Sequence, residues 1–561
     1  VIWVATQREL CAVATTKQKK TTRLSKLFGS RELCCKSRLS MELNIAQRLF
    51  PTQFSFWPET FRLPEERAGL ERALTNGNVP GVKTKRKNHQ KPPSPKTTFI
   101  LKPDDSSQGD GIFLVQKTRD LRHLDAARKI IAQHYIAEPI LCDGFKFDLR
   151  IYVVVSSVTP LRAHVCREGL VRLATKKYIS PTSKNLSITS MHLTNYSLNK
   201  RSKDFDHGQE CSGHTNKWDD GACALSFNSG SKRSMLAVLS SLADMGKLQN
   251  PEATWTSICS LVRHTLLVMH PHLKASACSA AQANGGKVEF NKGKCFQIFG
   301  FDVVLDKTGA PFLLEVNSNP SMCIDAVHDL DKEEKDGSAA SARTEEARVS
   351  YAETHIRRQR SGAVCRCMDS HKPHRHAISP VDLAIKSVVL RGALQLVLPS
   401  QSDKHENIEK GGESKYSRDC SDKEEDSNYD NLFDDGRVPC DVEQFFGNVA
   451  RVFDAVVGSR KLDAFKWRKF ALRLLAAQKK DEDKVEKEEG VDRNILARSA
   501  DSLFRKHSQF AAEDGPGSSG SGTAFFLALL VEWAEKHLLG ESPGARGELG
   551  SVLARALRNM R

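Results

Sequence analysis

Two carboxylates and an amide near the middle of the chain have the types and spacing to hold a divalent metal. Phe299 to Asp306 (FGFDVVLD) and Phe312 to Asn317 (FLLEVN) read as two strands of a hairpin that turns through Lys307, Thr308, Gly309 and Ala310. Equal spacing from the turn sets Asp302 opposite Glu315, and like charges facing each other across an antiparallel pair are unfavourable unless a cation lies between them. Asn317 falls two residues beyond Glu315 and on the same face, because strand side chains alternate. Three oxygen donors on one surface suit Mg²⁺, which takes one or two carboxylates and keeps its other positions for water and nucleotide phosphates. Phe301, Val303, Leu305, Leu314 and Val316 form the apolar opposite face, expected to meet the core. The competing reading is a solvated polar sheet face.

Upstream segments supply what a nucleotide would need. Thr98 to Lys102 (TFILK) is an apolar run ending in lysine, followed by the loop PDDSSQGDG to Gly111 and a second apolar run, Ile112 to Gln116. A strand, a loop containing Gly109, Asp110 and Gly111, and a second strand can bring backbone N–H groups to phosphate oxygens, with Lys102 adding a point charge. The loop lacks the GxxxxGK[ST] pattern and no helix follows it, so it is not a P-loop. In GFKFDLRIYVVV, ending at Val155, Lys146, Asp148 and Arg150 alternate with Phe147, Leu149 and Ile151. One strand face therefore carries two cations and an acid, a row that is costly to bury unless anions engage it. REGLVR, from Arg167 to Arg172, and MHLTNYSLNK, from Met191 to Lys200, follow with many side-chain donors.

These stretches, with YIAEPILCDGFKFDLRIYVVV, SGSKRSML and CFQIFGFDVVLDKTGAPFLLEVNSNPSM, resemble the tubulin tyrosine ligase-like family in order and spacing over roughly residues 40–325. The QGDG loop and the CFQIFGFD run are most similar to its type-eleven polyglutamylase branch. The resemblance implies an α+β, ATP-grasp-like fold, use of ATP and Mg²⁺, and ligation of L-glutamate onto glutamate side chains of tubulin tails, with chain elongation expected. It also implies roles. Lys102 and Lys146 resemble phosphate and nucleotide contacts, as do Asp110 and Gly111 of the loop; Gln133, His134, Tyr135 and Ile136 resemble the hinge against adenine. Phe147, Asp148, Thr194 and Asn195 match nucleotide-side positions, and Arg150 matches the arginine facing the transferred phosphoryl group. Arg172, Tyr196, Ser197 and Lys232 match groups that hold the incoming amino acid, while Asp302, Glu315 and Asn317 match the magnesium ligands. A planar guanidinium at Arg172 suits bidentate capture of that amino acid's carboxylate. A sister ligase for glycine or tyrosine, and a non-catalytic microtubule-binding protein, are the alternatives.

Composition agrees with an acidic partner. The net charge is +16, and the first hundred residues hold 19 Lys and Arg against 7 Asp and Glu. A positive surface speeds encounter with any polyanion. The basic run from Thr84 to Lys91 lacks interleaved aromatics, and no zinc-finger or RNA-recognition signature is present, so nucleic acid is not expected; the partners the resemblance implies are tubulin and microtubules. The 15 cysteines lack the regular spacing of a secreted disulfide scaffold, which favours reduced thiols. Cys365, Cys367, His371, His374 and His376 fit no standard zinc spacing, leaving a metal site there the less favoured reading. The longest apolar run, Ala524 to Val531, is too short to cross a bilayer. A monomer in the cytoplasm and on the cytoskeleton, extending to cilium or basal body, is the expectation.

Residues 1–40 match the family poorly and are left unassigned, with misprediction as one reading; the start at Val1 suggests an incomplete chain. Residues 41–95 are read as a partial N-terminal domain and basic linker, 96–200 as the central ATP-grasp domain, and 201–398 as the C-terminal one. The latter contains an apolar helix from Trp255 to Met269, a charged insertion at 331–378 and a final helix from Pro380. A disordered linker is expected at 399–437. Beyond it a helical module at 438–561 opens at Asp441 with a capping-box pattern and an apolar face of Val442, Phe445, Phe446, Val449 and Phe453.

Overall fold

The computed structural model describes residues 1–16, 21–76, 97–104, 106, 109–125, 128–200, 202–208, 227–283, 293–329, 374–398 and 429–433, with scattered helical residues between 442 and 557. In chain order come α1 (Gln7–Ala14), α2 (Ser30–Leu33), α3 (Lys36–Leu49), β1 (Thr60–Leu63), α4 (Arg67–Asn76), β2 (Phe99–Pro103), β3 (Phe113–Val115) and β4 (Ile130–His134). Next are β5 (Leu141–Cys142), β6 (Phe145–Val158), β7 (Leu161–Lys177), α5 (Thr189–His192), α6 (Tyr196–Asn199), β8 (Lys232–Ser234), α7 (Met235–Asp244) and α8 (Pro251–Ala283). The hairpin β9 (Gln297–Leu305) and β10 (Pro311–Asn317) follows, then β11 (Asp325–Asp329), β12 (His374–Ile378), α9 (Pro380–Val397) and β13 (Tyr429–Asn431).

Two antiparallel sheets face the cleft that matters. A small one runs β1-β4-β2-β3, and a larger one runs β10-β9-β6-β7-β13, with β5 and β8 attached at β6 and β7. The mixture of helices and antiparallel sheets is the expected α+β class. Alternation decides what each face of β6 meets. Phe147, Leu149, Ile151, Val153 and Val155 are buried in one large core with Val262, Leu266 and Met269 of α8. On the other face Tyr152 and Val154 pack under Val381, Ile385 and Val389 of α9, while Lys146 and Asp148, on that same face, line the cleft at the adjoining end.

The hairpin register shows how Asp302 comes to face Glu315. Near the turn Pro311 pairs with Leu305 and Leu313 with Val303, one residue off equal spacing; a bulge between Leu313 and Glu315 then restores Glu315 to Asp302. The extra residue at a bulge turns one side chain to the other face. Leu313, not Leu314, therefore enters the core, and Leu314, expected on the apolar face, lines the cleft.

The expected domain boundaries need correction. β1, placed in a remnant N-terminal domain, pairs with β4 in the small sheet. A division at residue 200 would cut the larger sheet, because β6 pairs with β9 from Leu149 opposite Val303 to Val155 opposite Gln297. Leu24, Leu27, Phe28 and Leu33, in the stretch left unassigned, are buried in the same core as Phe301. The 399–437 segment is not wholly a disordered linker, since β13 adds an edge strand to β7 with Tyr429 opposite Cys166. Its anchors are specific: Asp430 accepts from Trp255 Nε1 at 2.6 Å and from Arg167 Nε at 3.0 Å, and the Tyr429 hydroxyl donates to the Val389 carbonyl at 2.8 Å. The helical residues from Val442 onward are not separate from the body either. Phe445 meets Phe50 edge to face at 5.6 Å, and Arg263 pairs with Glu443 at 2.7 Å. Asp441, Phe453 and the cysteines and histidines from Cys365 to His371 lie outside the described residues.

Candidate active site

The cleft between the sheets has about 610 Å³ of space when its open mouth is counted. Ile100, Ile112, Tyr135, Ile136, Leu193, Val304 and Leu314 give it apolar walls, and Lys102, Lys146, Asp148, Thr194, Asn195, Asp302 and Glu315 a polar end. Gln133 and His134 end β4 and also line it, so the four expected hinge residues all reach the cleft. The apolar walls thus lead to clustered lysines and acids.

Hydrogen bonds fix the hinge. Tyr135 N donates to the Thr98 carbonyl at 2.9 Å, and the Tyr178 hydroxyl donates to the Ala137 carbonyl at 2.7 Å. His192 Nε2 sits 3.1 Å from the Asn185 carbonyl and so carries the proton, which leaves Nδ1 to accept from the Tyr135 hydroxyl at 3.1 Å. Burial, helped by the charge of Lys146, lowers the His192 pKa to about 4, consistent with a neutral ring. His192 was not among the expected site residues, and only its place inside MHLTNYS hinted at it. Asn199 was also missed. Its carbonyl oxygen accepts from Thr175 N and Oγ1 at 3.0 Å, and its amide donates to the carbonyls of Leu193 and Asn195, clasping the 193–195 turn onto β7.

The cations are buried. Lys102 Nζ donates to Gln133 Oε1 at 2.7 Å and to the Leu314 carbonyl at 3.1 Å, joining the two sheets. Burial brings its pKa down to about 8, with Glu315 pulling the other way. Lys146 Nζ lies 3.9 Å from the centre of the Tyr135 ring; burial lowers its pKa to about 7 despite the nearby Asp148. Arg150 is opposite Asp302 in the sheet and grips it through Nε at 2.5 Å and Nη2 at 3.0 Å. Arg172 is opposite Asp148, holds it through Nε at 2.8 Å and Nη2 at 2.5 Å, and reaches Asp302 at 2.9 Å. The guanidinium expected to capture a substrate carboxylate bidentately thus has Nε and Nη2 engaged by Asp148, and Nη1 is the nitrogen of Arg172 left without a hydrogen bond among the described residues. Burial disfavours both guanidinium charges, but the acids outweigh it and raise both pKa values.

Asp302, Glu315 and Asn317, the residues expected to bind magnesium, come together on the hairpin. Asn317 Nδ2 donates to Glu315 Oε1 at 3.1 Å and to Asp302 Oδ2 at 3.4 Å. Asp302 is held well below the usual carboxylate range, because Arg150 and Arg172 outweigh its burial. Glu315 moves the other way, pushed up by burial and then by the charge of Asp302. Buried Asp302, half-buried Glu315 and an amide oxygen fit a hard divalent cation, and the raised Glu315 is the tension such an ion would relieve. Gly300 is a further positioning residue: a Cβ there would come within 3.0 Å of Arg150 Cδ and 2.9 Å of Pro320 Cβ. Its signal was a glycine inside an apolar strand.

Not every expected residue lines the cleft. Phe147 is 1% exposed and points into the core on the opposite face of β6, because it alternates with Lys146 and Asp148; its side chain is no nucleotide contact. Asp110 and Gly111 are exposed on the loop and outside the lining residues. Thr194 Oγ1 donates to Asp148 at 2.7 Å. Tyr196 and Ser197 open α6 and are half-buried, and Lys232 lies over the Tyr196 ring at 3.8 Å. Arg172 pairs across the sheet with Lys232 of β8, so these side chains form a second end of the site, beyond Asp148.

Residues 14–333 match the tubulin-tyrosine ligase family, a span that holds every site residue named above. The chain belongs to that family. Among curated relatives of this family member, Tubulin polyglutamylase ttll6 of Danio rerio is 34% identical over 58% of this chain and 36% of its own length. Tubulin polyglutamylase TTLL11 of Homo sapiens is 36% identical over 55% of this chain and 39% of its own, and Tubulin polyglutamylase TTLL13 of Homo sapiens 34% identical over 60% and 36%. The chain spans little more than a third of the length of these relatives. Among the described residues no helix is long and apolar enough to cross a membrane.

Proposed function

We propose that this chain is an ATP- and Mg²⁺-dependent ligase that adds L-glutamate to glutamate side chains of tubulin tails, extending existing side chains. The observation that carries the reading is the Asp302–Glu315 pair with Asn317, set between a cleft lined by Lys102 and Lys146 and a second cationic end at Arg172 and Lys232. Asp302, Glu315 and Asn317 would hold Mg²⁺, which when bound neutralises phosphate charge.

The chain's own groups account for the rest. The hinge at Gln133 to Ile136 and the apolar walls orient the base. Lys102 and Lys146 sit where the triphosphate extends, and Arg150 stands between that end and the acceptor. A tail carboxylate oxygen attacks the γ-phosphorus and the bond to the bridging oxygen breaks, releasing ADP and leaving an acyl phosphate. The amine of glutamate, held through its carboxylates by Arg172 Nη1 and Lys232, then attacks the acyl carbon. Phosphate departs with the bonding electrons and the amine gives up a proton. Proximity is the main contribution of the second end, since it aims the amine at the acyl carbon. The basic surface of the chain favours encounter with acidic tails.

Incubation with microtubules, ATP and separately labelled glutamate, glycine and tyrosine tests this. Incorporation of glutamate alone is expected; incorporation of glycine or tyrosine in its place would overturn it.

A further inference from the structure

We propose that Asp382, in the first turn of α9, is a positioning residue that sets Lys232 for the incoming amino acid. The inference rests on the reading of Lys232 as a substrate contact and adds the residue that controls it. Asp382 is 1% exposed, and its two oxygens are divided between two lysines. Oδ2 accepts from Lys232 Nζ at 2.7 Å, and Oδ1 lies 2.7 Å from Lys386 Nζ. Lys386 is one helical turn on, the spacing at which side chains share a helix face, and it also donates to the Cys323 carbonyl. Ser379, the N-cap, donates its backbone N–H to the Ile324 carbonyl at 2.8 Å. α9 is therefore tied to the segment that follows the Asp302–Glu315 hairpin, and Asp382 projects from it to β8.

The charge balance gives Asp382 its meaning. Asp148 and Asp302 match Arg172 and Arg150 one for one. The single carboxylate of Asp382 serves two ammonium groups, so the Lys232–Asp382–Lys386 group carries one positive charge in excess, with Asp382 and Lys386 buried. A charge in such a place is stable only with a partner anion, and a second carboxylate on the incoming amino acid is the group of the right sign. Without Asp382, Lys232 would lose the contact that holds it over the Tyr196 ring and beside Arg172. An aspartate in the first turn of a helix can also serve merely as a cap, but this side chain spans to another element.

Steady-state kinetics on the full chain, with microtubules as acceptor, separate the roles. For Asp382→Asn the KM for glutamate is expected to rise on the order of tenfold, with the KM for ATP and kcat within about twofold. In a Lys232→Gln background the same change is expected to add less than about twofold, because both act through one contact. Asp382→Glu, which keeps the charge but moves it by one methylene, is expected to lie between, and serves if the asparagine variant does not fold. An unchanged glutamate KM, parallel rises in both KM values, or independent effects of Asp382→Asn and Lys232→Gln would overturn the proposal. Wild-type chain that uses glycine or tyrosine instead of glutamate would instead overturn the reading of the site itself.

Discussion

Glu315 and Lys146 concentrate the electrostatics of the site, and each makes a prediction. Glu315→Gln removes one of two adjacent carboxylates that repel each other, the half-buried one beside buried Asp302. Ligation should be lost while the melting temperature stays level or rises, because the substitution relieves a like-charge contact without opening a cavity. Retained turnover would count against the metal-site account. Lys146 loses charge as pH rises through about 7, whereas a bound triphosphate favours the charged form. Nucleotide binding should therefore take up a proton above that pH, and affinity should weaken by at most about tenfold per pH unit as pH increases. Titration calorimetry at pH 8 in two buffers of different ionisation enthalpy measures the uptake, and none would contradict the placement of Lys146 at the phosphates. Asp302 and Glu315 could be paired from their spacing about the hairpin turn, and Asn317, Lys146, Asp148 and Arg150 placed on their faces by strand alternation. His192 and Asp382 could not, since each acts through a partner distant in sequence, Tyr135 and Lys232, that only the fold brings near.

Strand pairing shows where local pattern suffices and where it fails. Equal spacing from the turn correctly faced Asp302 with Glu315, yet misplaced Leu314, because a bulge is invisible to a rule of strict alternation. Two glycines test how tightly the strands hold Arg150. A Cβ at Gly169 would lie 2.6 Å from the Arg150 backbone carbonyl, whereas at Gly300 it would meet the Arg150 and Pro320 side chains. Gly169→Ala must push β7 from β6 and should cost about 1–3 kcal/mol in denaturant unfolding. Gly300→Ala should displace the guanidinium stem, lowering kcat with a smaller loss of stability. Equal stability losses with equal activity losses would contradict this division.

The whole molecule is more continuous than its sequence segments suggest. Charge-rich composition between 399 and 437 pointed to disorder, but Tyr429 and Asp430 return the chain to the edge of β7, and three residues are too few for composition to reveal. The apolar pattern at Val442, Phe445, Phe446 and Val449 was legible; its packing against Phe50 was not. Asp430→Ala should destabilise the protein by about 1–3 kcal/mol, chiefly by leaving the Trp255 indole N–H unpaired rather than through the half-exposed Arg167 pair. Thermal melting of the full chain checks this, and an unchanged midpoint would mean that the strand does not brace α8. The most direct test of the ligase assignment is mass spectrometry of acidic tubulin-tail peptides after incubation with the chain, ATP, Mg²⁺ and glutamate, with ADP measured in parallel. We predict a ladder of glutamate additions with one ADP released per step. Tails returned unmodified, or ADP formed without any addition, would contradict it.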